Sequence, residues 1–175
     1  MLEEKIKSAV RDVLDFPKEG IVFKDITPIL KDAALCSEIL DALVLKLSGT
    51  KIDVIAGVES RGFFFGLMLA CRLGVPFVPL RKPGKLPYKT VKQEYQLEYG
   101  SAAIEMHEDA VERGQHVLIH DDLLATGGTM GAASRLIEQQ GGIIAGYAFL
   151  ISLEFLNGKE KLLPFSENIH VLARY

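Results

Sequence analysis

The chain has 175 residues, 49% hydrophobic and 25% charged, with 23 acids against 20 lysines and arginines for a formal net charge of -3. That length and mix fit one domain, 1–175, with a sizeable core, and exclude a disordered or fibrous chain. The acidic balance argues against nucleic acid as the main partner, since phosphate-backbone binders carry a basic face.

In chain order, MLEEKIKSAVRDVL sets Leu2, Ile6, Val10 and Val13 at intervals of three or four, so a helix is expected over about 2–14, ended by DFPKEG. It has neither the apolar core of a secretory signal nor a lipidation motif, and a cytoplasmic location is expected. After IVFKDITPIL, a second helix is predicted over about 33–48, N-capped by Asp32 and buried through Leu40, Leu43, Val44 and Leu47. IDVIAGV is a short apolar run of branched residues, which suits a strand buried on both faces of a parallel sheet.

A helix starts near Arg61. The most apolar stretch, GFFFGLMLACRLGVPFVPL, is broken by Arg72, Gly74 and Pro76, so it reads as a buried helix and then a strand, VPFVPL, with no membrane span. Then follow a lysine-rich loop, an alternating strand VKQEYQLEY, strands AAIEM and HVLIHDD, a helix over about 129–140 and the strand IIAGYAFLISL. Strands and helices alternating through short links predict an α/β fold with a mainly parallel central sheet flanked by helices. Cys36 and Cys71 lie in apolar helical patterns without metal-ligand spacing and are expected to be reduced core thiols.

In such sheets ligands bind beyond the carboxyl ends of the strands. HDDLLATGGTMGAA, residues 120–133, crosses that edge. Gly127 and Gly128 allow close backbone approach, Thr126 and Thr129 add hydroxyl donors, and the following helix N-terminus offers free N–H groups, a setting for a phosphomonoester. A helix cap at Thr129 and a glycine turn would account for TGGT alone. Asp121 and Asp122 need more, because carboxylates repel phosphate. They point to vicinal hydroxyls or a metal beside it, as in ribose 5-phosphate. Neither GxxxxGK[ST] nor GxGxxG is present, so a Walker-type NTPase and a dinucleotide-binding domain are unsupported.

With those residues in view, VLIHDDLLATGGT resembles the phosphoribosyl pyrophosphate signature of the type I phosphoribosyltransferase family. DFPKEGIVFKDITPIL, IAGVESRGFFFG, RKPGKLP and YQLEYG resemble the members that act on adenine, in the family's order, over roughly residues 12 to 131. The resemblance implies the type I phosphoribosyltransferase fold, with about 1–32 forming a small base-binding hood. It implies Mg2+-dependent transfer of 5-phosphoribosyl from phosphoribosyl pyrophosphate to N9 of adenine, giving AMP and pyrophosphate, by a homodimer.

By the same resemblance, Ala125, Thr126, Gly127, Gly128 and Thr129 hold the 5-phosphate. Asp121 and Asp122 hold the ribose hydroxyls, directly or through metal-bound water, and favour an oxocarbenium-like sugar as pyrophosphate leaves. Pyrophosphate falls to Ser60 and Arg61 of ESRGF and to Arg81, Lys82 and Lys85 of RKPGKLPYKTVK, which has five basic residues and no acid. In the family the equivalent of Arg81 can cross a dimer interface. Glycine and prolines in that loop point to a mobile lid. Glu98 handles the imidazole proton of the purine, and Tyr99 belongs to the closing lid. Phe23 stacks on the base between the Val22 carbonyl and the Lys24 N–H, with Leu123 on the other face, an arrangement that mismatches a 6-oxopurine.

Two residues depart from the family's pattern. Lys24 stands where arginine is common, which loses a bidentate fork. His120 stands where a branched apolar residue is usual, and alternation along a strand points it away from at least one aspartate, so a structural role is expected. The alternatives are a phosphoribosyltransferase for another purine such as xanthine, and a non-catalytic sensor of the same fold.

Overall fold

The computed structural model describes residues 1–96 and 100–175. Five strands, β3 (Val54–Val58), β4 (Phe77–Leu80), β7 (His116–Leu124), β8 (Ile143–Ser152) and β9 (Ile169–Arg174), form a parallel sheet in the order β4-β3-β7-β8-β9. Alternation along β3 and β7 feeds two cores. Val54, Ala56, Val58, Val117 and Ile119 face α4 (Gly128–Gln139), through Met130, Leu136 and Ile137. Ile55 and Leu118 face α2 (Ala33–Lys46) and α3 (Gly62–Leu73), through Ile39, Leu43, Phe65 and Leu69. Each such fully buried valine, leucine, isoleucine, phenylalanine or methionine side chain contributes about 1.5–3 kcal/mol of transfer free energy.

Asp32 caps α2 as its sequence position implies, its carboxylate accepting from the Leu35 N–H at 2.9 Å. The first helix is shorter than its periodicity predicts. α1 spans only Leu2–Ala9, because Val10 turns extended and Arg11–Leu14 becomes β1, antiparallel to β2 (Val22–Asp25). Cross-strand pairing, Val13 opposite Phe23, outcompetes a helical pattern on an exposed segment. Two further elements were not foreseen: β9 as the sheet's edge, and the separation of β5 (Thr90–Gln96) and β6 (Ser101–His107) into their own antiparallel hairpin. Of the two thiols Cys36 is half-buried, but Cys71 is exposed, on the solvent side of α3 rather than in the core. Among the described residues no helix is long and apolar enough to cross a membrane.

The topology positions the site. From β3 the sheet runs to β4 on one side and to β7 on the other, so the strand order reverses between β3 and β7, where a crevice opens beyond the carboxyl ends. Glu59, Ser60 and Arg61 leave β3 there, and the loop from Ala125 to Gly127 leaves β7.

Candidate functional site

Two recesses meet in this crevice. One, of ≈ 80 Å³, is lined by Asp121, Leu123 and the run from Leu124 to Met130, and so contains Ala125, Thr126, Gly127, Gly128 and Thr129. The other, of ≈ 130 Å³, is lined by Glu59, Arg81, Lys82, Tyr95, Asp121 and Thr129 among others. Asp121 and Thr129 form the shared wall. A wider depression of ≈ 610 Å³ between α1 and α2, lined by Glu4, Lys5, Asp32 and Glu38, contains none of the candidate residues.

The glycine loop between β7 and α4 is not closed by a side-chain cap. Thr129 lies inside α4; the N-cap is Gly127, at φ 74°, and no side chain caps the helix. Its first N–H groups, with the positive end of the helix dipole behind them, therefore face the small recess free for an anion. A Cβ on Gly127 would collide with the carbonyl oxygen of Gly158, and one on Gly158 with that of Ala125. The loop is thus moulded against a short 3-10 helix, Gly158–Lys161, from a segment that contributed nothing to the sequence reading. Tyr95 of β5 closes the other side, its hydroxyl 3.1 Å from Thr129 Oγ1.

Asp121 and Asp122 are successive residues near the carboxyl end of β7. Asp121 is half-buried towards the recesses, and its Oδ1 accepts from the Asp122 N–H at 2.9 Å. Asp122 is 2% exposed, with Arg61 Nε 2.9 Å from its Oδ2. Burial pushes both carboxyls up, Asp121 well above the usual range because the Asp122 charge adds to it, whereas Arg61 draws Asp122 back. α3 starts hard against this strand: a Cβ on Gly62 would lie 2.8 Å from the His120 carbonyl oxygen and 3.0 Å from Asp121 Oδ1.

Arg81 is held by an acid. Arg81 Nε lies 3.2 Å from Glu59 Oε2, which also accepts the Lys82 N–H at 2.9 Å. Glu59 was not among the expected residues; its place at the end of β3 was the only signal. The basic loop is also tied to β6: Arg81 and Glu105 exchange backbone hydrogen bonds of 2.9 and 2.7 Å, and Gly84 donates to Glu105 Oε2. The loop expected as a mobile lid is anchored at its first half. Lys85 is exposed and lines neither recess, though its carbonyl accepts from Arg81 Nη1. Ser60 is exposed, and it does not cap α3.

Phe23, on β2, is half-buried, in edge contact with Phe16 at 5.1 Å and with the Arg61 guanidinium 4.5 Å from its ring centroid. Val22 and Lys24 flank it two residues apart, so their backbone groups point to one edge of a two-stranded sheet. Lys24 Nζ, where a fork was lost, sits 2.7 Å from Asp12 Oδ1 and 4.2 Å above the Tyr175 ring. Leu123 is half-buried against the α2/α3 core. His120 is fully buried against Gly66 of α3, its Cδ2 3.3 Å from where a Gly66 Cβ would lie. Glu98 and Tyr99 lie outside the described residues.

Among the described residues no three His, Cys, Asp or Glu side chains gather to hold a metal. The donors present suit a hard divalent cation of the Mg2+ kind, which binds through one or two carboxylates with phosphate oxygens and water completing its shell. Asp121 offers such a carboxylate in the wall between the recesses.

The phosphoribosyl transferase domain model matches residues 24–164. The chain is 54% identical to the adenine phosphoribosyltransferase of Cytophaga hutchinsonii over 175 residues, 100% of this chain and 97% of that one. The crystal structure of adenine phosphoribosyltransferase from Thermoanaerobacter pseudethanolicus superposes with a TM-score of 0.96 at 52% identity, covering 100% of both chains. The Saccharomyces cerevisiae enzyme, in a complex with an imino-altritol bisphosphate and adenine, gives 0.89 at 41% identity over 98% of each.

Proposed function

Because the chain belongs to the phosphoribosyltransferase family, we propose that it transfers the 5-phosphoribosyl group of phosphoribosyl pyrophosphate to N9 of adenine, releasing pyrophosphate and AMP, as a purine-salvage enzyme. The observation that carries this reading is the pair of recesses sharing Asp121 and Thr129: an uncapped helix N-terminus on one side and a cation-bearing wall on the other. A sugar with a phosphate at one end and a pyrophosphate at the other matches that layout.

In this reading residues 125–129 fix the 5-phosphate, and Asp121 and Asp122 take the ribose hydroxyls. Their charge lies where positive charge grows as the C1–oxygen bond to pyrophosphate breaks and the C1–N9 bond forms. Ser60, Arg61, Arg81, Lys82 and Lys85 serve the leaving pyrophosphate, with Tyr99 part of the closing lid. Mg2+ beside Asp121 would offset the pyrophosphate charge when bound. Phe23 stacks on the base, Leu123 covers it, and the Val22 carbonyl and Lys24 N–H read the 6-amino group and N1. Glu98 takes the proton that N9 loses.

Residues 1–32 serve as the base-binding hood of a single domain, 1–175. The assembly is a homodimer in the cytoplasm, with Arg81 serving the neighbour's site.

Turnover with adenine, hypoxanthine, guanine and xanthine, each with phosphoribosyl pyrophosphate and Mg2+, tests the reading through pyrophosphate release. Adenine should exceed each 6-oxopurine by at least about 10²-fold in kcat/KM, as expected where mismatched polar groups are buried. A preference for xanthine, or nucleotide binding without pyrophosphate release, would overturn it.

A further inference from the structure

Arg61 stands where the substrates belong. Its guanidinium lies 4.5 Å from the Phe23 ring centroid, and its Nε lies 2.9 Å from Asp122 Oδ2. The alignment is poor: Arg61 Nη1 and Asp122 Oδ2 are buried with no hydrogen-bond partner among the described residues. Charge and stacking hold the pair, while part of its hydrogen-bonding capacity is unused. That is a contact other partners can displace.

We infer that the Arg61 guanidinium is a placeholder, occupying the face of Phe23 and the carboxylate of Asp122 until pyrophosphate draws it away, and thereby couples pyrophosphate binding to base binding. The inference rests on the proposal that Phe23 stacks on adenine and Asp122 receives the ribose. A base joined to that ribose must lie between Phe23 and Asp122, the space the guanidinium fills. A planar cation and a planar base cannot share one stacking face. Pyrophosphate oxygens offer Arg61 the charged, bidentate partner that Asp122 supplies imperfectly. Once it turns to them, both Phe23 and Asp122 are exposed together. Arg81 is held in a parallel way by Glu59, so Arg61 and Arg81 both rest on a carboxylate.

Calorimetric titration of the full chain with adenine, with and without Mg2+ and inorganic pyrophosphate, tests this. Inorganic pyrophosphate carries no sugar, so it adds no ribose surface against which a base could pack. Wild-type protein should bind adenine about tenfold tighter with pyrophosphate present, within the usual range of coupling between two sites. Arg61→Gln should bind adenine without pyrophosphate about as tightly as loaded wild type does, and pyrophosphate should then change its affinity by less than about twofold. No effect of pyrophosphate on wild type, or the full effect retained in Arg61→Gln, would overturn the inference. Should Arg61→Gln fail to fold, Asp122→Asn, which releases the guanidinium's anchor, should raise adenine affinity several-fold without pyrophosphate; unchanged affinity counts against it. If a different purine is the one that binds, the adenine assignment fails by itself, and the same comparison with that purine still decides the role of Arg61.

Discussion

His120 is fully buried on the α3 side of β7, and desolvation holds its imidazole neutral, with its pKa lowered to about 4. Below the ordinary histidine value of about 6.5 the unfolded chain takes up a proton that the folded chain refuses, so stability falls with pH through that window. Replacing His120 with Val should remove the effect. Urea denaturation at pH 7 and pH 5 should show wild type losing about 2 kcal/mol more than His120→Val over that interval. Asp121 has the opposite sign. Its raised pKa means the fold favours the neutral carboxyl: the stabilisation is complete below about pH 3.9 and is lost as pH rises through the folded value. Asp121→Asn should therefore melt a few degrees higher than wild type at pH 7, about 2–4 °C per kcal/mol for a chain of this size, with the gap closing in acid. Its turnover should fall by about 10²-fold, because the charge proposed to face the sugar is gone. An unchanged melting temperature would show that Asp121 is better solvated than its surroundings imply.

The loop between β7 and α4 is proposed to hold phosphate through its backbone, so its shape matters more than its side chains. That shape is braced by the 3-10 helix Gly158–Lys161, where Gly158 faces the Ala125 carbonyl. A methyl there must push the loop away, although Gly158 lines neither recess. Gly158→Ala should raise KM for phosphoribosyl pyrophosphate about tenfold while changing kcat less, since displaced N–H groups weaken phosphate binding in ground and transition states alike. Steady-state kinetics with the donor varied reads this directly. The β5–β6 hairpin adds a second brace through Tyr95 and Thr129, so the loop is held from both flanks.

The β1–β2 unit joins the rest of the molecule through a cationic clasp. Lys24 Nζ lies 4.2 Å and Lys7 Nζ 5.4 Å from the Tyr175 ring centroid, and the Tyr175 backbone is hydrogen-bonded to Ser152 and Glu154. Because Phe23 sits beside Lys24, this clasp sets the height of the proposed base-stacking ring above the sheet. Tyr175→Ala should raise KM for adenine several-fold with kcat within about twofold, cation–π contacts of this kind being worth about 0.5–2 kcal/mol. Tyr175→Phe should restore it, since the Tyr175 hydroxyl has no hydrogen-bond partner among the described residues. Equal losses in both variants would assign the effect to the hydroxyl.

Much of this was legible before any tertiary contact was known, where the signal was local. A run such as IDVIAGV declares a strand buried on both faces, Asp32 declares a helix start, and Gly127 with its neighbours declares a glycine turn that opens a helix. Where the determining partner is distant in sequence, local pattern failed: residues 11–14 looked helical until β2 paired with them, and residues 169–174 gave no hint of forming the sheet's edge.

The sequence by itself determined the alternating α/β layout, the glycine turn into α4 and the paired aspartates beside it, because backbone conformation and hydrophobic period are written within a few neighbouring residues. Only the tertiary structure decided that Glu59 holds Arg81, that Gly158 moulds the loop, and that Arg61 lies between Phe23 and Asp122. Each of these depends on chain segments that meet where the strand order reverses, and such a meeting is set by packing of the whole sheet.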